Sequence, residues 1–290
     1  MNILITRCTL WDLAGRMMIE GFSTGIGEDH HIGALVFEQN SMDSPPGLAF
    51  VRQFIDPKDI DEAFKWADAC IDLGGLCRGY DPYRHNYIIR CRKKDIPYVY
   101  GAQSFDRPDP RIIKDIPLVA RGENAKSHAT KVLGLYSKDI CVAPDVSFLC
   151  DIPPMFESVD YAIGYCTHIN KPFLEMDSEI ERYRADATVK ITLKPNRDGK
   201  EFEPFLRHSD VLEPKTAEDL FSIVGRCNKI LTARYHVAVA AIAYKIPVYL
   251  YVDQMEKYDD LLDWEKVPLA RIKEEAYETI RLFKEVCGVG

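Results

Sequence analysis

The stretch "ILTARYHVAVAAIAYKIPVYLYVD", residues 230–253, is apolar almost throughout and is broken by one cluster, Arg234, Tyr235 and His236. Residues 230–233 and 248–252 are short aliphatic runs that suit strands buried on both faces, and the small-residue run 237–243 suits a packed helix. Pro247 separates that helix from the second strand. The spacing predicts a strand–helix–strand unit with the polar trio at the carboxyl end of the first strand and the start of the helix. In open α/β sheets ligands bind at that edge, and a helix amino end turns N–H groups and a positive dipole end toward an anion. A guanidinium and an imidazole placed there describe an anion pocket with a proton donor. The plainer reading of either residue alone is a solvated neighbour of a helix cap, or an ion-pair partner.

Outward from this unit the alternation continues. Strands are predicted at 3–6, 34–37, 69–73, 98–100, 117–120 and 140–142, and helices at 58–66, 83–94 and 123–133, the last stopping at Gly134. "DIPPMFESVD", 151–160, has two prolines and no periodicity and reads as a linker. A second series follows: strand 161–166, helix 173–183, strand 189–193, helix 217–227, then the opening unit. Ile272, Ala276, Ile280 and Phe283 recur at helical spacing and mark an amphipathic closing helix over 271–286. The expected fold class is α/β, with two doubly wound Rossmann-like domains and a cleft between them. Residues 1–150 form the first domain, 151–160 the linker, 161–265 the second domain and 266–290 the closing helix.

Composition narrows the function classes. The 290 residues are 47% hydrophobic, enough for a large core, and 37 basic against 45 acidic residues give a net charge of −8. That balance argues against broad nucleic-acid binding or an anionic membrane surface as partner. The nine cysteines are odd in number, dispersed and without a C-x-x-C pair, which fits reduced, buried thiols of a cytoplasmic protein. The first eight residues run directly into Trp11-Asp12 and fit a buried strand better than a signal peptide. No window approaches the roughly 20 apolar residues of a membrane span. The seven histidines show no H-E-x-x-H or paired-ligand spacing, and His30-His31 lacks a nearby cysteine, so no metal site is expected.

Four further segments carry candidate chemistry. In "ACIDLGGLCRGYDP", Gly74-Gly75 follows a buried strand and either lets a ligand approach backbone N–H groups or makes an ordinary tight turn. "LVARGENAKSHATKVLG" places Arg121 between a strand end and a helix start, the same arrangement as Arg234; pairing with Glu123 is the plainer account. "YRHNYIIRCRKK", 83–94, concentrates positive charge on one helix and reads mostly as a solvated face. "CVAPDVSFLCDIPP" brings Asp145 to a strand end, where a carboxylate orients a neighbouring arginine or caps a turn.

The order of these pieces resembles the polysaccharide pyruvyl transferase family. The resemblance rests on the "ADACIDLGG" strand and turn, on Arg121 followed by Ser127, on "PDVSFL", and on the block from 216 to 262. That block carries Arg234, Tyr235 and His236, then a small-residue helix, Ile246-Pro247, a strand and Lys257. Where family members carry Asn-x-Gly-Asp after the first strand, this chain has "TLWDLAGRMM", with Asp12 and Gly15 out of order, and the third glycine of the glycine-rich turn is absent. The resemblance implies a GT-B-like fold and a transferase that moves a pyruvyl group from phosphoenolpyruvate onto sugar or glycan hydroxyls as a ketal, without cofactor or metal. It implies an anionic donor bound by Arg121 and Arg234, with His236 as general acid. Tyr235, Gly74, Gly75, Asp145 and Lys257 would line the substrates, and the first domain would face the acceptor. Two alternatives stay open: a nucleotide-sugar glycosyltransferase acting on a glycan, small molecule or modified nucleobase, and a non-catalytic sugar-binding module.

Overall fold

The structure, a computed structural model, describes residues 1–7, 10, 12–37, 48–134, 140–154, 156, 158–167, 174–182, 187–193, 210–251 and 256–289. The chain divides into two compact units, one of Met1–Trp11, Gly15–Cys150 and Glu256–Gly290, the other of Asp12–Ala14 and Asp151–Met255.

The first unit contains β1 (Asn2–Thr6), α1 (Leu13–Ile26), β2 (His31–Phe37), β3 (Arg52–Asp56), α2 (Ile60–Trp66), β4 (Ala69–Asp72), β5 (Leu76–Gly79), α3 (Pro82–Lys93), β6 (Tyr98–Pro108), α4 (Pro110–Ile113), β7 (Leu118–Ala120), α5 (Glu123–Leu133) and β8 (Cys141–Val142). A single 3-10 turn, Val146–Leu149, follows. The sheet order is β3-β2-β1-β4-β6-β7-β8, with β5 added beside the long β6, and the paired strands run parallel. Both faces are covered, so successive side chains enter different cores. Ile3, Ile5 and Ile71 point into the core shared with α1, while Leu4 and Cys70 point into the one shared with α2 and α3.

The second unit contains β9 (Ile163–Cys166), α6 (Leu174–Ile180), β10 (Thr188–Ile191), β11 (Asp210–Leu212), α7 (Ala217–Val224), β12 (Ile230–Thr232), α8 (Tyr235–Ala243) and β13 (Val248–Leu250). Its parallel sheet has the order β11-β10-β9-β12-β13. The order reverses between β9 and β12, which is where a doubly wound sheet opens a crevice beyond its strand ends. The fold is thus two Rossmann-like α/β units.

Several boundaries differ from the sequence reading. The segment 151–160 groups with the second unit: the Tyr244 hydroxyl donates to the Pro153 carbonyl at 2.8 Å, and the Asp160 amide donates to that of Arg226 at 3.0 Å. That unit ends at Met255, not at 265, because α9 (Glu256–Leu262) packs on α5 of the first unit. The closing helix is α10 (Leu269–Cys287), which also belongs to the first unit. Its Ile272, Ala276, Ile280 and Phe283 are buried, and the Phe283 ring meets Phe22 of α1 edge-on at 5.3 Å.

Candidate functional site

Each unit offers a strand-end edge. In the second unit, Arg234 is the N-cap of α8, with extended backbone, φ −115° and ψ 124°. Its position is fixed from both sides. The Arg234 amide donates to Thr232 Oγ1 at 2.9 Å, and the Ala233 amide donates to the Cys166 carbonyl at 2.9 Å, tying the end of β12 to the end of β9. Arginine has no acceptor, so it cannot bond the first N–H groups of the helix it precedes. Tyr235 and His236 form the first turn of α8 and are buried, their rings 5.4 Å apart at 70°. Every residue of α8 is buried, which explains its run of alanine and valine. The trio therefore stands at the switch point of its sheet, with Arg234 the half-buried member.

The comparable edge of the first unit is filled by the chain itself. Arg121 follows β7 and precedes α5, the order predicted. Its guanidinium pairs with Asp145 at 2.5 Å, and each side chain is 1% exposed. Asp145 Oδ1 accepts in addition from the Ser147 amide at 2.9 Å and the Ser147 hydroxyl at 2.6 Å. The carboxylate thus orients an arginine and caps a turn at once.

Asp260 of α9 then takes the place of an external anion at the start of α5. Its Oδ1 accepts from the Ala125 amide at 3.2 Å, and Trp264 Nε1 donates to the Arg121 carbonyl at 3.1 Å. A Cβ on Gly122 would stand 2.6 Å from that carboxylate oxygen, so only glycine permits the approach. Burial pushes the Asp260 carboxyl up to about 6, against the opposing pull of the Ala125 amide and the Arg121 charge. The folded state therefore holds this proton more tightly than the unfolded chain, and the penalty grows as pH rises from about 4 through 6. Asp260→Asn keeps an acceptor for Ala125 and removes the charge. The variant is expected to match the parent near pH 4 and to exceed it near pH 7 by on the order of 2 kcal/mol, read as melting temperature against pH. A stability gap independent of pH would refute this account.

Gly74 and Gly75 lie beyond β4, beside the end of β1, at the point where the first sheet reverses order. A Cβ on Gly74 would stand 2.8 Å from the Arg7 carbonyl oxygen, and Gly75 has φ +29°. Both amides bond within the chain, Gly74 to Asp72 Oδ1 at 2.8 Å and Gly75 to the Leu73 carbonyl at 2.9 Å. A buried arginine wraps the turn. Arg84 donates to Asp72 Oδ2 at 2.8 Å, to the Gly74 carbonyl at 2.7 Å, to the Leu76 carbonyl at 3.1 Å and to Gln103 Oε1 at 3.0 Å. Gln103 Nε2 returns a bond to Asp72 Oδ1 at 2.8 Å, and the Tyr98 hydroxyl reaches Asp72 Oδ2 at 3.2 Å. The helix read as a solvated basic face therefore turns one arginine, 2% exposed, into the interior. Its signal was present: Arg84, Tyr87, Ile88 and Cys91 are buried at helical spacing.

The structure thus joins Arg121 to Asp145, and it places Arg234, Tyr235 and His236 together. Lys257 falls in α9, in the first unit, and its side chain lies outside the described residues. Among the described residues no group of three His, Cys, Asp or Glu side chains is arranged to hold a metal, and no helix is long and apolar enough to cross a membrane.

Solved structures of similar shape share the fold at low identity. A UDP-GlcNAc 2-epimerase from Methanocaldococcus jannaschii, in complex with UDP-GlcNAc and UDP, aligns with TM-score 0.62 and 15% identity over 98% of this chain and 100% of that one. S. aureus MnaA, in a co-structure with UDP, aligns with TM-score 0.60 and 14% identity over 100% and 91%. The Neisseria meningitidis UDP-GlcNAc 2-epimerase bound to UDP-GlcNAc aligns with TM-score 0.56 and 12% identity over 100% and 94%. These are GT-B-type proteins, and the likeness is one of fold. A comparison with curated proteins finds no match. The polysaccharide pyruvyl transferase family matches residues 41–253, a span that includes Arg121, Asp145 and the whole Arg234-Tyr235-His236 edge, and the chain belongs to that family.

Proposed function

We propose that the protein transfers the pyruvyl group of phosphoenolpyruvate to two hydroxyls of a sugar or glycan, with the α8 edge of the second unit as the donor site. The observation that carries this reading is the Arg234 N-cap at the sheet switch point, with His236 two residues on, in the first turn of α8. Phosphoenolpyruvate bears a carboxylate and a phosphate, and a guanidinium beside helix N–H groups suits either. His236 supplies a proton to the methylene carbon, leaving C2 open to attack. A first sugar hydroxyl adds at C2 and returns its proton to His236, and a second displaces inorganic phosphate, which leaves with the second hydroxyl proton; two C–O bonds and one C–H bond form, the C2–O bond to phosphate, the C=C π bond and two O–H bonds break, and the product is a ketal. Tyr235 packs against the imidazole and restricts its orientation.

Arg121 has a different role in this proposal from the one the resemblance implied. Paired with Asp145 and closed over by α9, it is a positioning residue that holds the β7–α5 corner, and the donor's anionic groups fall to Arg234.

The test is a thermal-shift comparison of phosphoenolpyruvate with UDP-GlcNAc, because a ligand of the folded state raises apparent stability. Phosphoenolpyruvate is expected to raise the melting temperature. Arg234→Ala should lose roughly 1.5–3 kcal/mol of donor binding, the scale of a charge-assisted contact. Stabilisation by UDP-GlcNAc alone would favour the glycosyltransferase reading.

A further inference from the structure

The opposite edge of the first sheet holds a cavity that the donor-site reading does not use. Its volume is about 500 Å³, and Ser23, Thr24, Glu28, His30, Ile32 and Phe50 are among its lining residues. That volume lies inside the range of small-molecule sites. The cavity opens where α1 ends and β2 begins, whereas Gly74 and Gly75 lie beyond the carboxyl ends of the same parallel strands. Roughly 20 Å, the length of a seven-residue strand, separates the two edges.

Three features describe what would fit. Ser23 Oγ and His30 Nδ1 are buried with no hydrogen-bond partner among the described residues. Such atoms cost folding free energy unless a ligand or water satisfies them. Phe50, at 56% exposure, leaves a large apolar ring open at the rim. Burial first, then the positive charges of the amino terminus and Lys284, hold the His30 imidazole below its ordinary range. It is neutral at pH 7, with one ring nitrogen donating and the other accepting.

The lining narrows the ligand classes. Glu28 disfavours an anion there, and the positive charges that act on His30, the amino terminus and Lys284, are not among the lining residues. No metal-holding cluster exists among the described residues. A purely apolar ligand would leave the hydroxyl, imidazole and carboxylate desolvated and unpaired. A ring with an apolar C–H face and a rim of hydroxyls satisfies all of them at once.

We propose that this cavity is a second saccharide-binding site, in which one neutral pyranose stacks on Phe50 and exchanges hydrogen bonds with Ser23, His30 and Glu28. The site would hold a glycan at a point remote from the strand ends of its unit. The inference is about binding and stands apart from the donor chemistry.

The experiment is saturation-transfer NMR with methyl β-glucopyranoside, methyl β-galactopyranoside and methyl β-N-acetylglucosaminide at millimolar concentrations. At least one glycoside is expected to receive saturation most strongly on the protons of one ring face. Phe50→Ala should weaken that binding about tenfold, the scale of losing an aromatic anchor, while Phe50→Tyr retains it. Ser23→Ala should weaken it several-fold, and Arg234→Ala should leave it unchanged. Phe50 is exposed, so its variants should melt like the parent; a Phe50→Ala melting point that fell together with that of Phe50→Tyr would make the ring structural and overturn the proposal. Absence of binding by all three glycosides at tens of millimolar would overturn it too, as would binding that Phe50→Ala leaves intact.

Discussion

Arg121→Ala is expected to lower the unfolding free energy by roughly 3–5 kcal/mol with no ligand present, because it strands a buried carboxylate. The pair is closed: Arg121 and Asp145 are each 1% exposed and 2.5 Å apart. Asp145 keeps its two bonds from Ser147, but these are dipoles facing a full charge. Against a typical total of about 5–15 kcal/mol, the loss is large. Asp145→Ala should cost a comparable amount for the mirror-image reason. The double variant Arg121→Met, Asp145→Leu removes both charges, and it should recover most of the stability lost by either single change. Denaturant unfolding followed by tryptophan fluorescence measures the loss, and Trp264, one of the three tryptophans, bonds the Arg121 carbonyl. A ligand contact would behave otherwise: an Arg121→Ala protein within about 0.5 kcal/mol of the parent, yet unresponsive to phosphoenolpyruvate, would return Arg121 to the donor site.

The contrast between the two arginines shows where sequence reasoning carries and where it stops. Both follow a strand and open a helix, and the one local difference, Gly122 as N-cap after Arg121, does not by itself say what closes on it. The difference comes from residues far along the chain, Asp145 some two dozen positions after Arg121 and Asp260 well beyond that. Long-range pairing has no periodicity to read. The 230–253 unit was legible because buried parallel strands write themselves as continuous aliphatic runs and an all-buried helix as small residues. By the same logic β3, an edge strand of sequence RQFID, was missed, since its arginine and aspartate break the apolar run. In β5, LCRG follows two glycines and reads as more turn. Helix α1 was hidden by Gly15, Gly21 and Gly25, which lower helical signal in any propensity-based reading. Arg84 was misread for a different reason. Residue type alone assigns a charged side chain to solvent, whereas the position of Arg84 on the buried stripe of α3 places it inside, where Asp72 neutralises it. In the glycine turn the expectation of ligand-facing amides gives way to amides already bonded to Asp72 and Leu73.

His236→Gln is expected to reduce kcat by about 100-fold or more while leaving donor affinity measurable, the scale set by loss of a general acid. Holding the donor and reacting with it are separate demands. In the proposed reaction Arg234 meets the donor's charge in the ground state, so its loss would show in binding; a proton delivered to carbon is transferred only at the transition state, so its loss would show in turnover. Glutamine fills a similar volume in the first turn of α8 and can hydrogen-bond, but it carries no proton to give near neutral pH. His236 is 5% exposed within a helix that is buried along its whole length, so a purely structural role makes the opposite forecast. In that case alanine would lower the melting temperature and glutamine would restore both stability and rate. Three measurements on the alanine and glutamine variants divide the outcomes: melting temperature, the thermal shift produced by phosphoenolpyruvate, and phosphate released from phosphoenolpyruvate in the presence of a glycan acceptor. If glutamine turned over near the parental rate, the proton would have to come from elsewhere, and the Arg234 edge would be reduced to an anion cradle beside a packing histidine.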